Sequence, residues 1–153
     1  MSLNFGGANL FPSADDSVPI KHNGVLTIPS CMYFSNYNDT ADVKRDPDKT
    51  TVTDSSNVDC LIAPIQLPHG ATMTSIVTYG DAGLASQDAY VVQNNATTGI
   101  TRITGFIQVN TKGAIPQGAG DIDNENYYYQ HYVVTPSNND DLYCTIIEYV
   151  YYE

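Results

Sequence analysis

The side chains best suited to chemistry are three carboxylates at alternate positions in one segment, GDIDNEN. They are Asp121, Asp123 and Glu125. Calcium binds several carboxylate and carbonyl oxygens from a flexible loop. A complete EF-hand loop would continue with glycine and then glutamate where this chain has Asn126 and Tyr132. The three acidic residues are therefore a candidate calcium site, with a solvated acidic loop as the alternative. The sequence predicts no other cofactor.

The remaining reactive side chains form no recognisable catalytic pattern. The three histidines and three cysteines are His22, His69 and His131, and Cys31, Cys60 and Cys144. None belongs to a zinc or nucleophile motif, and the cysteines include no C-x-x-C pair. The chain also lacks G-x-S-x-G and a phosphate-binding glycine loop. We therefore expect a protein that is not an enzyme, with no catalytic residues.

The charge of the chain limits the partners it can bind. It has 17 Asp and Glu against six Lys and Arg, a formal charge of -11. This balance opposes binding to nucleic acids and to anionic membrane surfaces, because both require cationic side chains. No apolar stretch approaches the length of a membrane span, and no signal peptide is visible at the N-terminus. We expect neither nucleic-acid binding nor membrane insertion.

The elements that position these side chains read as β-strands. Residues 71–79 alternate with period two, and the alternation predicts Met73, Val77 and Tyr79 on the core face. Residues 100–109 alternate in the same way, with Ile103 and Val109 among the buried positions. Residues 142–152 are apolar on both faces, which is typical of a central strand. The chain shows about seven or eight strands and no convincing helix.

These strands predict an all-β fold in which two antiparallel sheets form a sandwich, with a jelly roll as the leading variant. Residues 21–153 form a single domain in this interpretation. Residues 1–20 are rich in Gly, Ala, Asn, Ser, Asp and Pro and read as an irregular N-terminal arm. Pro64 lies within an apolar run, which indicates an edge strand or a bulge.

Tyrosine is the most distinctive residue type, with 12 Tyr and no Trp. Tyrosines occupy both faces of the last two predicted strands. A tyrosine on an outer face suits an interface, because its ring is apolar and its hydroxyl can bond to a partner. The candidate interface residues are Tyr127, Tyr129, Tyr132, Tyr149, Tyr151 and Tyr152.

The segment APIQLPHGATMTSIVTY, residues 63–79, resembles a pattern in uncharacterised bacterial and phage-associated β-sandwich domains. In these domains an apolar run precedes L-P-x-G-A-T-[IVM]-T-S and an alternating strand. The resemblance implies a sandwich on a virion or an extracellular surface, and it carries no catalytic residues. The absence of a visible signal peptide favours the virion.

Two functional hypotheses follow. The first is a structural or assembly protein, such as a capsid, decoration or fibre component, that associates with itself as a homo-oligomer or with other structural subunits. The second is a carbohydrate-binding β-sandwich module, in which exposed tyrosines stack on sugars and calcium binds in the Asp121 loop.

Overall fold

The computed structural model describes residues 19–35, 43–55, 58, 60–134 and 136–153, which form two six-stranded antiparallel sheets. Sheet A comprises β1 (Lys21–Pro29), β3 (Val43–Arg45), β4 (Thr50–Val52), β6 (Thr72–Gly80), β10 (Gly113–Ala114) and β12 (Asp141–Tyr152). Sheet B comprises β2 (Phe34–Ser35), β5 (Cys60–Ile65), β7 (Asp88–Asn95), β8 (Gly99–Arg102), β9 (Ile107–Gln108) and β11 (Tyr128–Val134). Short 3-10 turns lie at Ser30–Met32 and Leu84–Ser86.

The strand order is that of a jelly roll. Sheet A contains the order β1-β12-β6-β10, and sheet B contains β5-β11-β7-β8. The first of these eight strands thus pairs with the last, and the second pairs with the seventh, as in two wound Greek keys. The other four strands, β2, β3, β4 and β9, have two or three residues each. The predicted all-β sandwich of two antiparallel sheets is confirmed. The part of the predicted arm before residue 19 lies outside the described residues.

The core lies between the two sheets and is built from alternate residues of their strands. Leu61 of β5, Val91 of β7 and Val133 of β11 face Leu142 and Ile147 of β12, and all five are fully buried. Strand β12 lies between β1 and β6, so its predicted central position is confirmed. Removal of these apolar side chains from water is the main favourable term in folding.

In strand β6, the side chains that face the core differ in part from the prediction. Met73 is buried as expected, but a one-residue bulge follows it in the pairing with β12. Because side chains alternate along a strand, the bulge reverses the two faces beyond it. Ile76 and Thr78 therefore face the core, whereas Val77 is outside the core cluster and Tyr79 is exposed.

The predicted strand at residues 100–109 is two strands separated by a short break. Val109 is buried, and Ile103 and Ile107 pack against the core, so the predicted buried positions are confirmed. The break contains Thr104, whose Oγ1 accepts a hydrogen bond from the backbone N–H of Val91 at 2.9 Å. At this point the Thr104 hydroxyl takes the place of a backbone carbonyl in the hydrogen-bond ladder of β7.

Candidate interaction surface

A row of large apolar side chains crosses the outer face of sheet B. Phe34 of β2 pairs with Ile62 of β5, Ile62 with Tyr132 of β11, and Tyr132 with Tyr90 of β7. Phe106, immediately before β9, extends the row beyond Tyr90. We call these five residues the aromatic row. Cross-strand neighbours on one face stand side by side, so the register alone brings them together.

The rings of the aromatic row support one another. Tyr90 and Tyr132 stack with centroids 5.2 Å apart and ring planes 8° apart. Phe106 meets Tyr90 edge to face at 5.5 Å. The Arg102 guanidinium lies 4.2 Å from the Phe106 centroid and 5.7 Å from that of Tyr90. Aromatic pairs of this kind contribute about 0.5–1.5 kcal/mol beyond their buried area, so the row is a preorganised surface.

The two ends of the row are open to solvent, whereas Ile62 within it is only 8% exposed. Phe106 is 56% exposed, and Phe34 is exposed as well. Asn94 of β7 pairs with Tyr128 of β11 on one side and with Ile100 of β8 on the other. The side chains of Tyr128 and Ile100 are exposed and extend the same outer face. Single exposed apolar residues are common, but several of them on one face of a sheet are typical of an interaction site.

The electrostatics of this face differ from those of the whole chain. The aromatic row contains no carboxylate, and neither does the adjacent outward row of Pro64, Gln130 and Val92. Among the described residues, the strands of this face carry one cation, Arg102, and one carboxylate, Asp88, which lies two positions before Tyr90 on the same side of β7. Burial raises the pKa of Tyr90 and of Tyr132, so both rings remain neutral. The aromatic row is therefore an uncharged surface on a strongly acidic protein, with one charge of each sign beside it.

The six tyrosines predicted as interface residues separate into two groups. Tyr132 belongs to the aromatic row, and Tyr152 is exposed at the end of β12. The other four contact the core: Tyr127, Tyr129, Tyr149 and Tyr151. Tyr129 is only 2% exposed, so its prediction as an interface residue is wrong. The Tyr129 side chain points inward. Its hydroxyl accepts a hydrogen bond from the Asp123 N–H and donates one to the Asp121 carbonyl, so it anchors the acidic loop.

The acidic loop uses its carboxylates in hydrogen bonds of its own. Asp121 accepts a bond from Thr72 Oγ1, and Asp123 accepts bonds from the backbone N–H groups of Glu125 and Asn126. The side-chain amide of Asn126 also donates to Asp123, and these bonds lower the pKa of the Asp123 carboxyl. Among the described residues, no three His, Cys, Asp or Glu side chains are grouped to hold a metal. Calcium binding by Asp121, Asp123 and Glu125 stays a prediction.

A buried polar cluster links the two sheets. Hydrogen bonds of 2.6–3.1 Å connect four side chains: His131 of sheet B, Thr78 and Thr145 of sheet A, and Tyr33, which directly precedes β2. Burial lowers the pKa of His131 to about 3 and raises that of the Tyr33 hydroxyl. All four side chains are buried, so this cluster has no exposed group to offer a substrate.

The fold and this surface define a class: a jelly-roll β-sandwich with an aromatic outer face. No protein-family model matches the chain, and no curated protein or solved structure is similar enough to count as a match. In the part of the chain that the structure describes, no helix is long and apolar enough to cross a membrane.

Proposed function

We propose that this protein is a structural subunit that associates with copies of itself through the aromatic row. Its setting in this proposal is a virion, as a capsid, decoration or fibre component, or an extracellular surface. The observation that carries the proposal is the continuity of the row from Phe34 to Phe106 across the outer face of sheet B.

The composition of the row supports association between proteins. Tyr, Phe and Arg are enriched in the cores of protein interfaces, whereas acidic residues are depleted there. The row has this composition, although the chain has 17 acidic residues. Two copies with a charge of -11 repel each other, so contact through the aromatic row, whose five residues include no carboxylate, reduces the electrostatic cost of association.

The arrangement of the rings favours this hypothesis over carbohydrate binding. A sugar stacks on the open face of an aromatic ring. Here Tyr90 and Tyr132 stack on each other, and Arg102 covers one face of Phe106. The jelly-roll topology is used by viral capsid proteins and by lectins alike, so the fold does not separate the two hypotheses.

Sedimentation velocity over a range of protein concentrations tests the proposal. We expect the wild-type chain to form species larger than its 16.7 kDa subunit. Phe106→Asp introduces a carboxylate into the aromatic row and should weaken association at least about ten-fold. Tyr79→Asp is the matched control, because Tyr79 is exposed on the outer face of sheet A. A wild-type chain that is monomeric at every concentration, or equal association of both variants, would overturn the proposal.

A further inference from the structure

Strand β1 has an edge to which no strand of the described residues pairs. Among the described residues, β1 pairs only with β12, in a continuous nine-residue register. Ile20 and Glu153, just before and after these strands, exchange both backbone hydrogen bonds. Opposed residues in antiparallel strands alternate between bonded and non-bonded pairs, so the even-numbered residues of β1 bond to β12. The backbone groups of Lys21, Asn23, Val25 and Thr27 therefore point away from the sheet, where another strand can bond to them.

An apolar crevice lies beside this edge, between the two sheets. It has a volume of about 110 Å³ and is lined by Leu26, Thr27, Ile28, Pro29, Met32, Pro64 and Gln66. None of these side chains is charged. On the side of sheet B, the described residues of β2 pair with Leu61 and Ile62, and Pro64 lies beyond this pairing. An edge strand beside an apolar pocket is the arrangement that binds an extended peptide: the backbone provides affinity and the pocket selects side chains.

The N-terminal segment of the chain has the chemistry of such a peptide. Residues 1–13, MSLNFGGANLFPS, contain no ionisable side chain, although the whole chain has 23 charged residues, 17 acidic and six basic. In an extended conformation Leu3 and Phe5 point to the same side, and Asn4 points to the other. An uncharged segment with this pattern can approach a second acidic copy without charge repulsion.

A second copy as the acceptor agrees with the self-association proposed above, and the 18 residues before Pro19 are long enough to reach it. Eighteen extended residues span at most about 60 Å, which is enough to reach a neighbouring subunit.

We infer that the open edge of β1 receives residues 1–13 of a second copy of this chain as an added strand, with Leu3 or Phe5 in the crevice. This inference rests on the self-association proposed above, but it concerns a different surface. Association through the aromatic row of sheet B and strand exchange at the edge of sheet A can therefore be measured separately.

Amide hydrogen exchange of the full chain, resolved to single residues, tests the inference. Strand addition should slow exchange at the outward-facing amides of Lys21, Asn23, Val25 and Thr27 at least about ten-fold as protein concentration rises. The even-numbered amides of β1, already bonded to β12, provide an internal control. The double variant Leu3→Asp/Phe5→Asp should lose the concentration-dependent protection. Leu3→Ile/Phe5→Leu, which keeps the apolar character, should retain it.

Fast exchange at the four amides at all concentrations would overturn the inference, and so would protection that does not depend on concentration. The second result would indicate that the arm binds to its own subunit. Phe106→Asp distinguishes the two proposals. If this variant still associates and still protects the edge of β1, the aromatic row is not the contact. If the wild type associates but leaves the edge unprotected, the strand addition is wrong and the row proposal stands.

Discussion

The Tyr33 hydroxyl lies 2.7 Å from Nδ1 of His131 at the centre of the sandwich, although 98 positions separate the two residues in the chain. The hydroxyl donates to Thr145 Oγ1, which donates to Thr78 Oγ1, and Thr78 lies 3.1 Å from His131 Nε2. These bonds close into a ring if Nδ1 of a neutral imidazole carries the proton and Nε2 accepts from Thr78. Each hydroxyl then donates once, so the cluster is satisfied without a charge.

The ring predicts that acid destabilises the protein through His131. The pKa of His131 is about 3 in the folded state, against 6.5 for an ordinary histidine. Below about pH 6.5 the unfolded chain binds a proton that the folded chain excludes, so stability is lost as pH falls, by up to about 1.4 kcal/mol per pH unit. Urea unfolding should show a loss of about 1.6 kcal/mol between about pH 6.5 and pH 5. His131→Asn should be less stable at neutral pH and should show a shallower dependence in this interval. If the free energy of unfolding of the variant depends on pH as steeply as that of the wild type, His131 is not the cause.

Tyr33→Phe tests the hydrogen bonds of the ring without changing its packing. Removal of the hydroxyl leaves buried Nδ1 of His131 without its partner, and an unsatisfied buried polar group costs about 1–3 kcal/mol. Urea unfolding at neutral pH should show a loss in this range. Tyr143→Phe is the matched control, because Tyr143 is exposed on β12, and it should change stability by less than about 0.5 kcal/mol. Equal effects of the two substitutions would refute a stabilising role for the ring.

Gly24→Ala tests the contact between the first and last strands. A Cβ atom on Gly24 would lie 2.2 Å from Cζ of Tyr149, so the tyrosine ring would have to move. We expect a loss of about 1–3 kcal/mol, typical of overpacking in a core. Gly105→Ala, where a Cβ atom would meet no atom within 4 Å, should be close to neutral. Tyr149→Leu should relieve part of the cost in the double variant. Full additivity of the two single substitutions would show that the contact does not exist.

Asp123→Ala tests the function of the acidic loop. The Asp123 side chain accepts backbone hydrogen bonds from Glu125 and Asn126, and loss of a comparable cap costs about 0.5–2 kcal/mol. The melting temperature should fall accordingly. Glu125→Ala should have little effect, because Glu125 is exposed and contributes only its backbone to these bonds. A rise in the wild-type melting temperature with millimolar calcium, abolished in both variants, would instead support the predicted calcium site.

The fold could be predicted from the sequence because alternation of apolar residues is a local signal. The periodicity of β6 and β12 indicated strands, and the two apolar faces of β12 indicated its central position. The bulge after Met73 could not be predicted, because it depends on the pairing of β6 with β12, and it reversed the expected positions of Ile76 and Tyr79.

Of the aromatic row, only Tyr132 could be predicted from the sequence, because the row also depends on strand pairing. Its residues come from segments near positions 34, 62, 90, 106 and 132, and only the register of sheet B places them together. The tyrosines near the end of the chain can be recognised in the sequence because they are adjacent there. Of these tyrosines, Tyr129 and Tyr149 pack against the core, whereas Tyr132 stacks on Tyr90.

Hydroxyl-radical footprinting at low and high protein concentration is the most direct test of the central claim, association through the aromatic row. Residues buried in an interface are shielded from oxidation, and mass spectrometry locates the shielded side chains. Association through the row predicts that a higher protein concentration reduces oxidation of Phe34, Phe106 and Tyr132, while Tyr79 and Tyr143 on sheet A remain equally reactive. Oxidation of the row that does not change with concentration, or protection on the outer face of sheet A instead, would contradict it.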